Sequence, residues 1–141
     1  MPTQILVVDD DPDLSLLMAL FLRKHGHQVD TAADGRAALE KIRTSAPDLV
    51  VLDMAVLVES DLGKLPDGRG YTEVVVVEAR AEVRLERLVA RGMAVDDARA
   101  RMAAQATDAD RRAVADHVVV NNADEAALAH QVDELLRLLV A

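Results

Sequence analysis

The sequence predicts an α/β protein, a single three-layer domain around a five-stranded and mostly parallel sheet, from three observations. Short Val-rich apolar runs alternate with stretches of helical period, the arrangement of βαβ units. The runs, at residues 5–8, 29–32, 49–58, 74–77 and 118–120, do not alternate apolar with polar residues, as strands covered on both faces should not. A chain of 141 residues with 51% apolar residues fits one domain, 1–141, and Phe21 and Tyr71 are its only aromatics, so the core is aliphatic.

The elements follow in order. After the first strand, Leu14, Leu17, Met18, Phe21 and Leu22 recur at helical spacing and are expected to face the core. Asp11 can cap this helix, Pro12 suits its first turn and Gly26 stops it. His25 and His27 bracket that stop and read as surface residues. After the second strand a helix is expected over 36–43, ending before Ala46-Pro47. The third strand, 49–58, leads into a loop over 59–72, where Gly63, Pro66, Asp67, Gly68 and Gly70 are dense turn formers. The fourth strand, 74–77, precedes a helix over 81–91 closed by Gly92, then helices over 95–105 and 108–115. Strand 118–120 comes last but for a helix over 124–140, whose stripe is Leu128, Val132, Leu135, Leu136 and Leu139.

Composition narrows the function. The formal net charge of -9 opposes phosphate backbones and anionic lipid, so neither nucleic acid nor membrane is an expected partner. Without cysteine there is no disulfide framework, thiolate metal site or cysteine nucleophile. The start of the chain is unlike a signal peptide, no run approaches the ~18 apolar residues of a membrane span, and the expected location is the cytoplasm. The expected state is a monomer or weak homodimer.

Three carboxylates stand out. Asp9 and Asp10 follow the first strand and Asp53 lies within the third, so all fall at the carboxyl ends of parallel strands, where ligands sit. Clustered carboxylates repel unless a proton or a hard cation compensates them, and oxygen-only ligation suits Mg2+. The plainer alternative is that Asp10 and Asp11 only cap a helix. Asp53 argues against it, because a lone carboxylate in an apolar strand is costly; Asp53 and Glu78 are both expected to be under-satisfied. Arg87, Arg91, Arg99, Arg101, Arg111 and Arg112 read first as a solvated helical face, with Arg84 similarly exposed, although Arg87 and Arg91 at i, i+4 could share an anion. The pattern GxxxxGK followed by Ser or Thr does not occur: Gly63-Lys64 is followed by Leu65, and Asp9-Asp10-Asp11-Pro12 stands at the first strand-helix junction.

Ile5-Leu-Val-Val-Asp-Asp-Asp-Pro-Asp-Leu, Ala33-Asp-Gly-Arg-Ala-Ala-Leu and Pro47-Asp-Leu-Val-Val-Leu-Asp53 resemble the receiver domain of response regulators, over residues 4–54. The resemblance implies Mg2+ on Asp9, Asp10 and Asp53, with Asp53 the phosphoacceptor. The hydroxyl and lysine that a receiver carries at the ends of its fourth and fifth strands are replaced here by Glu78-Ala79 and Asn121-Asn122.

Val56-Leu-Val-Glu-Ser, Glu73-Val-Val-Val-Val-Glu-Ala, Arg84-Leu-Glu-Arg-Leu-Val-Ala-Arg-Gly-Met, Ala103-Ala-Gln-Ala-Thr and Arg112-Ala-Val-Ala-Asp-His-Val-Val-Val-Asn are similar to the C-terminal half of dephospho-coenzyme A kinases, over residues 49–140. That similarity implies Arg87 and Arg91 near nucleotide phosphates and Asn121 near adenine. Receiver-like strand order is 2-1-3-4-5 and kinase-like order 2-3-1-4-5; the first is expected here. Two partial resemblances meeting within 49–58, neither with a full set of site residues, lead to the expectation of an engineered or recombined chimera that tests fragment compatibility. Such a protein has no catalytic residue, is no enzyme and requires no cofactor. The alternatives are a degenerate receiver binding Mg2+ and phosphorylatable at Asp53, and residual nucleotide or coenzyme A binding without kinase activity.

Overall fold

The computed structural model describes residues 2–53, 64–65, 68–69 and 71–141. The chain divides into two compact units, residues 1–55 with 137–141 and residues 56–136.

In the first unit, β1 (Gln4–Val8), α1 (Pro12–Lys24), β2 (Gln28–Ala32), α2 (Gly35–Ser45) and β3 (Leu49–Leu52) make a parallel sheet in the order β2-β1-β3. Ile5 pairs in register with Val29 on one side and Leu49 on the other. The central strand is buried on both faces: Ile5 and Val7 pack with Ala19 and Val29, Leu6 with Ala32 and Ala38. This explains its lack of polar alternation. Asp48 fastens the start of the β1–β3 pair, accepting from the Gln4 N–H at 2.8 Å while its own N–H donates to the Gln4 carbonyl at 2.9 Å.

The caps are as expected and one helix face is not. The Asp11 carboxylate accepts from the N–H groups of Asp13 and Leu14 at 2.9 and 3.1 Å, with Pro12 in the first turn. At the other end Gly26 has φ 88° and the His27 N–H reaches back to the Leu22 carbonyl at 3.2 Å. Of the stripe expected to be buried, Leu14, Leu17 and Phe21 are 38%, 64% and 48% exposed. Met18 and Leu22 face the sheet as expected, and Ser15 and Ala19 complete that face, because their small side chains let the helix lie close on β1 and β2. α2 starts on Asp34, which accepts from Ala37 N–H at 2.8 Å, and stops at Ala46, φ 45°, a left-handed conformation held by a residue with a Cβ.

The second unit contains β4 (Lys64–Leu65), β5 (Gly68–Arg69), β6 (Val75–Glu78), α3 (Ala81–Ala90), α4 (Val95–Ala103), α5 (Asp108–Val114) and β7 (His117–Val120), and α6 (Glu125–Leu139) follows. β6 and β7 are parallel, with Val75 opposite His117 and Glu78 opposite Val120. Asp116 clamps their start as Asp48 does in the first unit: its carboxylate accepts from Val74 N–H at 2.7 Å and its N–H donates to the Val74 carbonyl at 2.9 Å. The outer edge of β7 is paired by an amide side chain, Gln131 accepting from Val120 N–H and donating to its carbonyl, both at 2.9 Å. α3 ends on Gly92, φ 93°, in the same way that α1 ends on Gly26. Thr107 and Asp110 form a capping box on α5.

The α/β class holds. The described strands, however, form a three-stranded sheet, the β6–β7 pair and an antiparallel pair β4–β5 inside the stretch read as a loop, in place of one five-stranded sheet. Burial of the later strands on both faces also fails: Val75, Val77, Val118 and Val120 are 38% to 61% exposed, since a two-stranded sheet has no central strand to cover. Residues 54–58 of the expected third strand, with Gly63, Pro66, Asp67 and Gly70, lie outside the described residues. Among the described residues no helix is long and apolar enough to cross a membrane.

Candidate functional site

Each parallel pair ends in a carboxylate, and the two have opposite surroundings. In the first unit the β1–β3 register brings Asp53, just past β3, to Asp9, just past β1. Their backbones are anchored by Asp53 N–H on the Val8 carbonyl at 3.3 Å and Asp9 N–H on the Ala32 carbonyl at 3.1 Å. Desolvation first, and then the neighbouring Asp9, pushes the Asp53 carboxyl above its ordinary range, and it hydrogen-bonds Asp9. Asp9 also accepts from the Asp11 N–H at 2.8 Å through its carboxylate and from the Ser15 hydroxyl at 3.3 Å through its carbonyl. Asp10 is exposed beside this pair. Among the described residues no group of three or more His, Cys, Asp or Glu side chains is placed to hold a metal ion. What the fold brings together is the dyad Asp9–Asp53, with a cleft of about 310 Å3 next to Asp9 lined by Ser15, Leu16, Ala19 and Arg23.

In the second unit Glu78, the last residue of β6, is gripped by Arg112 of α5 through two parallel bonds, Nε to Oε1 at 2.6 Å and Nη2 to Oε2 at 2.7 Å. That fork holds the Glu78 carboxyl below its usual range and the guanidinium above its own, and Arg84 and Arg111 add to the depression of Glu78. Glu78 is therefore satisfied, contrary to expectation. Around it, Arg84 Nη2 donates to Asp108 at 3.2 Å, Arg111 lies 3.6 Å from the same carboxylate, and Arg87 Nη2 reaches the Asn121 side-chain oxygen at 3.5 Å. Asn121 and Asn122 are fixed at the strand ends: Asn121 N–H donates to the Glu78 carbonyl at 2.7 Å, and the Asn122 side chain accepts from Arg80 N–H at 2.7 Å. Arg91 is exposed where α3 closes. The structure joins Arg87 with Asn121 by a side-chain contact and adds Arg84, Arg111 and Arg112 around Glu78 and Asp108. The sequence signal for that addition was the density of arginines on α3 and α5, read there as solvation.

An arginine fork and two asparagines at the carboxyl ends of parallel strands, where ligands sit in open sheets, belong to an α/β protein. The family model of dephospho-CoA kinase matches residues 32–127, and the chain belongs to that family. A dephospho-CoA kinase from Streptomyces avermitilis is 37% identical over 139 residues, covering 95% of this chain and 60% of the relative. The chain spans as little as 17% of other curated relatives it matches. Among solved structures, TT1252 from Thermus thermophilus aligns with a TM-score of 0.61 at 18% identity over 99% of both chains, a likeness of fold. A response-regulator receiver domain from Bermanella marisrubri covers 96% of this chain and 99% of its own at 22% identity, with a TM-score of 0.46.

These findings overturn the expectation of an engineered or recombined chimera without activity. The family match begins at Ala32, in β2, and spans the expected join at 49–58, so kinase similarity is not confined to the part after it. Membership in a family of kinases equally overturns the reading of the chain as no enzyme, which rested on the missing P-loop pattern and the missing receiver hydroxyl and lysine.

Proposed function

We propose that this chain serves dephospho-CoA kinase chemistry, the transfer of a phosphoryl group to dephospho-CoA, with the arginines of α3 and α5 holding the phosphates. The observation that carries this reading is the set Arg84, Arg87, Arg111 and Arg112 gathered at the carboxyl ends of β6 and β7 in a member of this family. Phosphoryl transfer asks little covalent chemistry of a protein; positioning and neutralisation of charge supply most of the acceleration. Because the GxxxxGK pattern is absent from the 141 residues, the phosphate-facing charge falls to guanidinium groups, whose planar forks match phosphate oxygens two at a time. Arg112 supplies the best-formed fork. Arg87 is oriented by Asn121 and adds a second cation, and Arg91, one turn further along the helix, a third.

Asp9 and Asp53 are the residues that would hold Mg2+. Their donor set fits it, since Mg2+ takes one or two protein carboxylates and keeps several waters. When bound, the cation would neutralise the Asp9–Asp53 pair. Asp10 contributes negative charge beside the pair.

Incubating the full chain with ATP, MgCl2 and dephospho-CoA, and quantifying coenzyme A by mass spectrometry, tests the proposal. Coenzyme A should form with the wild type and fall by roughly tenfold or more in Arg112→Ala and Arg87→Ala, the scale of a lost charge-assisted contact. Absence of product with the wild type would sink the reading.

A further inference from the structure

The Glu78–Arg112 fork is unusual in its exposure. The Glu78 side chain is 9% exposed and the Arg112 side chain 65%, so the carboxylate is built into the strand end while the guanidinium lies over it, open to solution. A guanidinium engages a carboxylate and a phosphate through the same pair of parallel N–H bonds. Glu78 therefore occupies Arg112 in the geometry that a phosphate would use. Nearby, the Arg84 Nε–H is enclosed and has no hydrogen-bond acceptor among the described residues. An enclosed donor without an acceptor is costly, and an added oxygen acceptor would satisfy it. Around the fork, Arg84 and Arg111 share the Asp108 carboxylate and Arg87 reaches Asn121, so several guanidinium groups gather there.

We propose that Glu78 is an internal stand-in for phosphate: it holds Arg112 in fork geometry while the site is free, yields the guanidinium to the polyphosphate of an incoming ligand, and so sets the affinity of the site. This role rests on the phosphate binding proposed above for the same arginines. Competition between a fixed carboxylate and a ligand for one fork lowers apparent affinity by the fraction of time that the carboxylate holds it. It also keeps Arg112 from collapsing onto Asp108, whose charge acts on it as well. Glu78 is thus a positioning residue, acting through Arg112.

Calorimetric titration of the full chain with inorganic pyrophosphate tests the role, on wild type, Glu78→Gln, Glu78→Asp and Arg112→Ala. Glu78→Gln, which keeps the shape and removes the competing charge, should bind roughly tenfold tighter than wild type, and Arg112→Ala roughly tenfold weaker or worse. Glu78→Asp should stay near the wild-type value, because the charge is retained. Equal or weaker binding by Glu78→Gln overturns the role of Glu78, and if Arg112→Ala still loses affinity the arginine site itself stands. No binding by any of the proteins overturns both. Should Glu78→Gln not fold, the wild type decides through NMR of the Arg112 Nε–H and the Glu78 carboxyl carbon. Both resonances should move on saturation with pyrophosphate, and unmoved resonances in a protein that binds it would contradict the exchange.

Discussion

At their amino ends the two parallel strand pairs are fastened alike, Asp48 closing a two-bond clamp on Gln4 and Asp116 the same clamp on Val74. At their carboxyl ends Asp53 meets another carboxylate, whereas Glu78 meets a guanidinium. The units also differ in how they are held. The first has a strand buried on both faces, with Ile5, Leu6 and Val7 at 1% to 3% exposure; the second buries Val74, Val76, Ala98 and Val119 and adds a polar network across α3, α5 and β6. A clamp at the start of a strand is thus a structural device that both units share, while the group at its end sets the chemistry. One end carries a carboxyl held above its ordinary range by burial and a second carboxylate, and the other a carboxylate held low by a guanidinium.

The sharpest break in the comparison should come from the cores. Leu6→Ala removes a fully buried side chain and should cost ~2–5 kcal/mol, whereas Val119→Ala, which deletes two methyl groups, should cost ~2 kcal/mol. Urea denaturation checks both, and a larger loss from Val119→Ala would reverse the ranking of the two cores.

If the clamps are equivalent, Asp48→Ala and Asp116→Ala should each destabilise by about 1 kcal/mol, the net scale of a hydrogen bond with a partly exposed partner. A twofold difference between their thermal midpoint shifts would show that the clamps are not interchangeable.

The smallest effect separates the two ends by pH. Asp53 binds its proton more tightly in the fold than in the unfolded chain, so its contribution is present below about pH 3.9 and lost as pH rises through the raised folded value. Asp53→Asn should therefore be more stable than wild type at pH 7, by a small margin because solvent screens the pair, and equal to it at low pH. Glu78 runs the other way. Its lowered carboxyl gives stability above the unfolded glutamate value, near pH 4.3, that is lost as pH falls through the lower folded value. Glu78→Gln should be the less stable protein at pH 7 and match wild type in acid. Thermal melts of both variants across pH read the signs directly.

Much of the first unit was legible because its signals are local. Asp11 caps the helix that follows it, Gly26 closes that helix, and the apolar run around Leu6 marks a strand covered on both sides. The face of α1 was misread because hydrophobicity alone cannot tell a core stripe from an exposed apolar one. Ser15 and Ala19 take the inner face by being small, which a pattern built on large apolar residues does not register. The strand-end chemistry was half legible. Asp9 and Asp53 follow from strands ending beside each other, but the partner of Glu78 lies 34 residues along the chain, as does the partner of Arg87, and only the parallel pairing of β6 with β7 brings them together. For the same reason an arginine-rich helix looked like a solvated surface.

NMR mapping of ATP binding on the full chain tests the central claim most directly. The account predicts that ATP shifts the resonances of Arg84, Arg87, Arg112 and Asn121, at the ends of β6 and β7, and that Arg112→Ala removes those shifts. Shifts confined to residues 9–16, at the β1–α1 junction, or none at all, would contradict it.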